Sequence, residues 1–216
     1  TLPTHNVCWS YPMFDATLQR HAQPLLQRLG RVLAHRGVTA NGLSWVGFGV
    51  GVAAAAAIAM GWFTWGLALL LLSRLCDGLD GAVARVHGPT DWGAYLDITL
   101  DFLFYAMVPL AFAVADPNQN GLPAAWLLLA FVGTGSSFLA YAALAAKRGQ
   151  SPSTQALPKG LYFVGGLTEA TETLAVFVCM CLWPAYFPWL AYGFASLCAF
   201  TLITRVIQAR LLCRGD

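Results

Sequence analysis

Four aspartates lie close together in an otherwise apolar part of the chain, and they limit strongly which folds it can adopt. Residues 77–101 read DGLDGAVARVHGPTDWGAYLDITLD, with Asp77 and Asp80 three residues apart and Asp97 and Asp101 four apart. Residues at these spacings share one face of a helix. Two neighbouring helices can therefore bring the four carboxylates together. Because uncompensated charges are costly among apolar side chains, such a fold needs a cation between them.

The composition places those helices in a membrane. Hydrophobic residues make up 58% of the 216 residues and charged residues only 10%, against about 25% charged in an ordinary soluble domain. No alternating strand pattern appears, so the sequence predicts an all-α integral membrane protein. A membrane-crossing helix needs about 20 apolar residues. Six segments meet this requirement, at approximately 42–61, 63–86, 91–114, 122–146, 160–183 and 187–209.

The N-terminal region is more polar than these six segments. From Phe14 to Leu33, leucines recur at helical spacing among arginines, which predicts an N-terminal amphipathic helix lying in the membrane interface. An ordinary cytoplasmic helix packed on the bundle explains the pattern equally well. No repeat or second domain is visible, so we predict one domain over residues 1–216. Residues 1–38 form its cytoplasmic tail and juxtamembrane helix, and residues 39–212 form the six-helix bundle.

The basic residues indicate the orientation of the bundle. They gather before the first span, between the fourth and fifth, and after the sixth, as Arg20, Arg28, Arg31, Arg36, Lys147, Arg148, Lys159, Arg210 and Arg214. The positive-inside rule then places both termini and the aspartates on the cytoplasmic side, as in a multi-pass bacterial inner-membrane protein. The net charge is only +2. We interpret the basic residues as topology and headgroup contacts and expect no nucleic-acid partner.

The chemistry of the aspartates points to divalent metal ions. A cluster of carboxylate oxygens suits Mg²⁺, Mn²⁺ or Ca²⁺ better than zinc. Two divalent ions would neutralise four carboxylates, and paired ions of this kind usually handle phosphate. Gly78, Gly81, Ala82 and Ala84 leave the adjoining helix face bare, and Arg85 offers a guanidinium suited to phosphate oxygens.

The same residues resemble a family signature. The pattern D-x-x-D-G-x-x-A-R, followed after a gap by G-x-x-x-D-x-x-x-D, is similar to that of the CDP-alcohol phosphotransferases, also called CDP-alcohol phosphatidyltransferases. Its fixed positions are Asp77, Asp80, Gly81, Ala84, Arg85, Gly93, Asp97 and Asp101. The family usually has eight residues between the arginine and the glycine, whereas residues 86–92 supply seven. We expect this shorter loop to tighten the turn between the two helices without moving the carboxylates.

The resemblance implies an enzyme of phospholipid biosynthesis. Such an enzyme transfers a phosphatidyl group from CDP-diacylglycerol, or a similar CDP-lipid, to the hydroxyl of a small alcohol acceptor and releases CMP. The implied ligands of two Mg²⁺ or Mn²⁺ ions are Asp77, Asp80, Asp97 and Asp101. Asp101 would also take the proton of the acceptor hydroxyl. Family members are often homodimers, so the resemblance implies a homodimer as well.

The resemblance also assigns residues to the nucleotide and its pyrophosphate. Gly81 and Ala84 would admit the nucleotide, and Arg85 would hold the pyrophosphate. Family members often carry a Thr-Pro-Asn stretch where the first span begins, and residues 39–41 read Thr-Ala-Asn, so Asn41 would lie near the nucleotide. The interpretation from the residues alone is a helix N-terminus capped by Thr39 or Asn41.

The acceptor pocket has two sets of candidates. Glu169 and Glu172 share a face of the fifth span; they either line the pocket or pair with an arginine. Lying in the pocket, they would favour an amino alcohol or a neutral polyol. Lys159 and Arg205 either bind a phosphate, which would favour glycerol phosphate or inositol phosphate, or anchor the cytoplasmic edge. The sequence supports both kinds of acceptor equally.

Two further expectations concern charge inside the bundle. Arg74 lies one turn before Asp77, and we predict that it forms a salt bridge with Asp77 or with an acid on another helix. Intramembrane carboxylates also form ion pathways, so a small cation or proton transporter is the main alternative function. A transport path needs polar positions through the whole depth of the bilayer, whereas the predicted spans are apolar in their outer halves.

Overall fold

The computed structural model describes residues 13–147 and 170–213, whose regular structure is helical and contains no strand. The α-helices are α1 (Met13–His35), α2 (Ala40–Ala59), α3 (Phe63–His87), α4 (Asp91–Ala115), α5 (Pro117–Lys147), α6 (Ala170–Leu182) and α7 (Phe187–Cys213). A 3-10 turn, Pro184–Tyr186, precedes α7. The predicted all-α class is confirmed.

Four segments of the described residues are long and apolar enough to cross a membrane. They are Ala40–Ala59, Asp91–Ala115, Pro117–Leu144 and Pro184–Ile207, and Ala170–Leu182 is a shorter apolar helix. Helix α3 is as long as α4, with 25 residues each. Its charged side chains make it too polar to stand out as a span by composition. The predicted count of six spans therefore stays a prediction, and residues 160–169 of the fifth lie outside the described part.

Side-chain caps define where two of the helices begin. The Thr39 hydroxyl accepts a hydrogen bond of 3.2 Å from the backbone N–H of Gly42, which confirms the predicted cap of α2. The Thr90 hydroxyl accepts one of 3.1 Å from Gly93 at the start of α4. Each cap satisfies a backbone donor that lacks a partner within the helix. Asp91 is the exposed first residue of α4.

The connection between α3 and α4 is very short. Only Gly88, Pro89 and Thr90 separate the two helices. Gly88 adopts a φ of +93°, which a residue with a side chain rarely adopts. This tight turn places the end of α3, with its two aspartates, directly beside the start of α4, with the other two.

Helix α2 packs against α3 and α4 through its small residues. A methyl group added at Gly47 would lie 2.9 Å from the Cβ of Cys76, and one at Gly51 would lie 2.8 Å from the Phe104 ring. Gly49 lies between them in sequence, and a methyl group added there would have no neighbouring atom within 4 Å. Gly47 and Gly51 are therefore the points at which α2 approaches its neighbours closely.

These glycines give a direct test of the packing. We expect Gly47→Ala to lower the free energy of unfolding by about 1–3 kcal/mol, because the Cβ of Cys76 belongs to a rigid helix and cannot yield. Gly49→Ala, on the same helix, should be neutral or stabilising by up to about 1 kcal/mol. Denaturant unfolding of the two variants in detergent measures both effects. Equal stability of the two variants would contradict the packing.

An aromatic core holds the other end of the bundle. The ring of Phe112 stacks on Phe187 at 4.5 Å and on Phe63 at 5.6 Å between centroids. Nearer the aspartates, Phe104 contacts Phe177 edge to face at 6.5 Å. These five rings come from four different helices. The core thus fixes the helices on the apolar side of the aspartates.

Helix α1 lies across α3 at the aspartate end. A methyl group added at Gly30 would lie 2.6 Å from the Cβ of Ala82, so the two helices are in close contact. The contact leaves Leu25, Leu29 and Val32 exposed, and these recur at helical spacing. An apolar stripe beside the bundle suits an interfacial helix, which stays a prediction.

Candidate active site

Three carboxylates converge where α3 meets α4. Asp77, Asp80 and Asp97 each present one oxygen, and these three atoms lie within 4.8 Å of one another. A cation that binds oxygens at about 2.0–2.6 Å can contact all three with little movement. Asp80 is buried, Asp77 half-buried and Asp97 exposed. The three oxygens and their spacing therefore fit a divalent ion, which a ligand could reach from the exposed side at Asp97.

Asp80 is held in place from α2. The Ser44 hydroxyl donates a hydrogen bond to Oδ2 of Asp80, and it also lies 3.1 Å from the carbonyl oxygen of Ala40. The charged acceptor forms the stronger bond. The contact of Ser44 with Asp80 was not expected from the sequence, although a hydroxyl one turn into an apolar helix is a signal for such a contact. With this bond, three helices contribute to the carboxylate cluster.

The fourth aspartate has a different partner. Nη1 of Arg74 donates a hydrogen bond of 2.6 Å to Oδ1 of Asp101 and lies 3.6 Å from Oδ2 of Asp77. The predicted salt bridge of Arg74 is thus observed to acids on both α3 and α4. The structure brings three of the four aspartates into one cluster and places Asp101 beside it, against a guanidinium.

A small cavity opens at this place. Its walls are formed by α2, α3 and α4, through Ser44, Gly47, Phe48, Arg74, Asp77, Asp80, Asp97 and Leu100. The carboxylates and the guanidinium make it polar, whereas the bundle just beyond it is aromatic and apolar. A ligand with both anionic and apolar parts therefore suits this boundary.

The residues assigned to the nucleotide lie at the same end of the bundle. Nη1 of Arg85 lies 3.6 Å from where a methyl group at Gly81 would be, so both share one face of α3, and Arg85 is exposed. Oδ1 of Asn41 lies 3.3 Å from the position that a methyl group added at Gly93 would take. The start of α2 therefore lies against the glycine of the second half of the motif. Ala84 lies on α3 between Gly81 and Arg85, and is partly buried.

The candidate acceptor residues are only partly described. Glu172 lies in the first turn of α6, and its Oε2 is buried without a hydrogen-bond partner. Within the described residues, Arg74 pairs with aspartates and not with Glu172. Nη1 of Arg205 donates a 3.1 Å hydrogen bond to the carbonyl oxygen of Thr134. Lys159 and Glu169 lie outside the described residues.

Comparison with known proteins shows the family of the chain. The family model for CDP-alcohol phosphatidyltransferase matches residues 38–206, which include every position of the aspartate motif. The chain belongs to the CDP-alcohol phosphatidyltransferase family. The family and the enzyme class expected from the motif are confirmed: the chain is a membrane transferase of phospholipid synthesis. The family assignment gives no support to a cation transporter.

Two curated relatives share this sequence to different extents. The chain is 53% identical over 194 residues to the inner membrane protein YnjF of Escherichia coli, which covers 90% of this chain and 94% of that protein. It is 38% identical over 94 residues to the archaetidylinositol phosphate synthase of Methanothermobacter thermautotrophicus, covering 43% of this chain and 48% of that one.

The phosphatidyltransferase fold is also found in solved structures. The phosphatidylinositol phosphate synthase of Mycobacterium tuberculosis with CDP-DAG bound superposes with a TM-score of 0.67 at 21% identity, covering 85% of this chain and 92% of that one. The same synthase in complex with manganese and citrate gives a TM-score of 0.58 at 21% identity, covering 84% and 87%. At this identity the likeness concerns the fold.

Proposed function

We propose that this phosphatidyltransferase moves the phosphatidyl group of CDP-diacylglycerol onto the hydroxyl of a small polar acceptor and releases CMP, in a reaction that depends on a divalent metal ion. The convergence of Asp77, Asp80 and Asp97 is the observation that carries the proposal. The binding of CDP-DAG by a solved protein of the same fold supports the choice of donor. The manganese in the second structure of that protein supports the choice of metal.

Each side chain near the cluster has a proposed task. Asp77, Asp80 and Asp97 hold Mg²⁺ or Mn²⁺, and Ser44 keeps Asp80 oriented. A divalent ion at this place supplies the positive charge that stabilises the pyrophosphate and the departing CMP. Arg85 adds a permanent positive charge for the pyrophosphate at the open end of α3. We also propose the second ion that the sequence predicts, with Asp101, whose Oδ1 accepts a hydrogen bond from Arg74, as one of its ligands.

We propose that three residues contact the nucleotide. Gly81 and Ala84 leave room for it on the face of α3 that also carries Arg85. Asn41 offers an amide at the start of α2, against Gly93. We assign these residues to contacts with the cytidine and its phosphates.

Asp101 is proposed as the base of the reaction. It takes the proton of the acceptor hydroxyl as the acceptor oxygen attacks the phosphatidyl phosphorus. The bond from this phosphorus to the oxygen of CMP breaks, and CMP leaves with the electron pair. Asp101 is half-buried beside the cluster. It can therefore meet a hydroxyl that arrives on the cluster's open side.

The arrangement of the enzyme in the membrane is part of the proposal. We propose one domain of six spans in the inner membrane, with α1 in the interface, both termini in the cytoplasm and a homodimer as the assembly. The name of the E. coli relative, an inner membrane protein, supports the location. The basic residues at the aspartate end support the orientation.

For the acceptor we propose a phosphorylated polyol. The names of two relatives, synthases of archaetidylinositol phosphate and phosphatidylinositol phosphate, support this class. Arg205 supports it too, because it bonds to the carbonyl oxygen of Thr134. At a rise of 1.5 Å per residue, Thr134 lies about 25 Å along α5 from Pro117, where α5 begins at the end of the bundle opposite the aspartates. Arg205 therefore lies towards the aspartate end. Glu172 supports the alternative, an amino alcohol or a neutral polyol.

Kinetics of two variants would decide the class of acceptor. We expect Arg205→Gln to raise the KM for inositol phosphate or glycerol phosphate by about tenfold, the loss of roughly one charge-assisted hydrogen bond. The KM for CDP-diacylglycerol should stay unchanged. Arg210→Gln, which removes an exposed charge further along α7, is the matched control. If Glu172→Gln and not Arg205→Gln changes the acceptor KM, the acceptor is not phosphorylated.

The function itself can be tested with purified protein. Incubation with CDP-diacylglycerol, Mn²⁺ and a panel of phosphorylated and unphosphorylated alcohols should release CMP with one of them and form the matching phospholipid. Chelation of the metal should stop the release. Absence of CMP release with every alcohol and with both Mg²⁺ and Mn²⁺ would overturn the proposal.

A further inference from the structure

Helix α1 presents three different faces between Pro24 and His35. Successive residues lie about 100° apart around a helix, and on this basis its side chains fall into three sectors. The first sector is buried or partly buried and contains Leu26, Gly30, Leu33 and Ala34. The second sector is apolar yet exposed and contains Leu25, Leu29 and Val32. The third sector is basic and exposed and contains Arg28, Arg31 and His35.

The buried face of α1 lies directly on α3. A methyl group added at Gly30 would lie 2.6 Å from Cβ of Ala82 and 3.0 Å from its carbonyl carbon. Four residues earlier on each helix, a methyl group added at Gly78 would lie 3.4 Å from Cδ1 of Leu26. From the sequence, Gly78 and Ala82 were expected to leave their side of α3 bare for a ligand, but the structure places α1 there. The absence of a side chain at Gly30 allows this close approach.

The contact with α1 lies opposite the contact of α3 with α2. Asp80 accepts a hydrogen bond from Ser44 of α2, and Ala82 follows Asp80 by two residues. Residues two apart point about 200° apart around a helix. Helices α1 and α2 therefore touch nearly opposite sides of the same turn of α3. If α1 moved away, the turn that carries Asp80 would lose its support on one side.

The two outer faces of α1 fit a lipid surface that carries negative charge. The apolar stripe of Leu25, Leu29 and Val32 is exposed to water unless it lies in the interface of a bilayer. Arg28 and Arg31 lie in the sector beside this stripe. Each basic residue near an anionic membrane surface contributes about 1 kcal/mol to binding. The stripe also borders the buried sector, so lipid bound there lies next to the contact with α3.

We propose that α1 couples an anionic lipid surface to the active site. Arg28 and Arg31 bind the headgroups of anionic lipids while the apolar stripe lies in the interface. Helix α1, held in this way, stays packed with Gly30 against Ala82 and keeps the Asp80 turn of α3 in place. Gly30 is thereby a positioning residue, and the rate of transfer depends on the charge of the surrounding lipid. This inference rests on the proposed function.

Vesicles of two compositions test the coupling. Purified enzyme is placed in phosphatidylcholine alone or in phosphatidylcholine mixed with phosphatidylglycerol, and CMP release is measured at saturating Mn²⁺ with the same panel of alcohols. We expect kcat of the wild type to be at least about fivefold higher in the anionic vesicles, the lower end of couplings between sites. Hydrogen exchange of the α3 amides from Gly78 to Val83 should slow as well, because local opening of a better supported turn is rarer. This second readout does not depend on turnover.

A pair of glycine variants tests the contact between the helices. Gly30→Ala keeps every charge of α1, but its methyl group collides with Ala82 and displaces the helix. Its kcat and its hydrogen exchange should therefore be the same in both kinds of vesicle. Gly49→Ala is the matched control, because its methyl group meets no atom within 4 Å, and it should keep the full stimulation by anionic lipid.

A charge variant tests the contact with lipid. Arg28→Gln combined with Arg31→Gln should lose most of the stimulation, since α1 is no longer drawn to the anionic headgroups. Arg210→Gln, which removes an exposed charge from α7, should keep it.

The outcomes separate the inference from the proposed function. Equal kcat and equal hydrogen exchange of the wild type in both kinds of vesicle would overturn the inference and leave the proposed function intact. Full stimulation of Gly30→Ala would overturn it too. Full stimulation of the double arginine variant would do the same, even if Gly30→Ala does not fold. Absence of CMP release in either kind of vesicle would instead overturn the proposed function, while hydrogen exchange would still test the coupling.

Discussion

Asp101→Asn is expected to lower the rate of CMP release by about 10³-fold, within the range that a general base contributes. The asparagine has nearly the same shape as aspartate but cannot take a proton from the acceptor hydroxyl. Asp101 lies outside the group of three metal-ligating carboxylates. The variant should therefore bind the Mn²⁺ ion of that group and CDP-diacylglycerol nearly as the wild type does. Release of labelled CMP and binding of labelled CDP-lipid measure the two properties separately.

Asp91→Asn is the matched control for this variant. Asp91 is on the same helix but exposed at its first position, so removing its charge should leave both properties unchanged. Turnover of Asp101→Asn close to that of the wild type would exclude Asp101 as the base. A loss of CDP-lipid binding equal to the loss of turnover would make Asp101 a binding residue instead.

Asp97→Asn should have an effect of similar size through a different cause. Asp97 is the ligand that α4 contributes to the cluster, and its replacement leaves only the two carboxylates of α3. We expect the affinity for Mn²⁺ to fall by at least about 100-fold, since even residues that merely support metal ligands contribute about 10- to 100-fold. CMP release at a fixed, low Mn²⁺ concentration should fall in parallel.

Excess metal distinguishes this variant from Asp101→Asn. Raising the Mn²⁺ concentration should restore part of the activity of Asp97→Asn, because the defect lies in binding the ion. It should not restore Asp101→Asn, whose defect lies in the proton transfer. Unchanged Mn²⁺ affinity in Asp97→Asn would show that the cluster is not the metal site.

The sequence predicted the parts of the site that depend on spacing along one helix. Asp77 and Asp80 share a face of α3 because they are three residues apart, and the short loop at Gly88 brings Asp97 to them. Asp101 was expected in the same cluster. Its place beside Arg74 depends on how α3 and α4 are aligned and on the Phe104 ring beneath the guanidinium. No periodicity within a single helix contains that information.

Other features depended on contacts between distant segments. Ser44 meets Asp80 because Gly47 lets α2 approach α3 closely, and the sequence alone does not show which turn of α2 faces which aspartate. The six predicted spans rested on apolar length. In α3 the same charged residues that form the site lower its hydropathy, so four helices stand out as spans among the described residues.

In the proposed enzyme, a divalent ion joins the carboxylates of two helices to the diphosphate of a CDP-lipid. Crystals soaked with Mn²⁺ and measured at the manganese absorption edge test it most directly. We expect an anomalous peak within bonding distance of Asp77, Asp80 and Asp97. A structure in which these three side chains point apart, with no peak between α3 and α4, would contradict it.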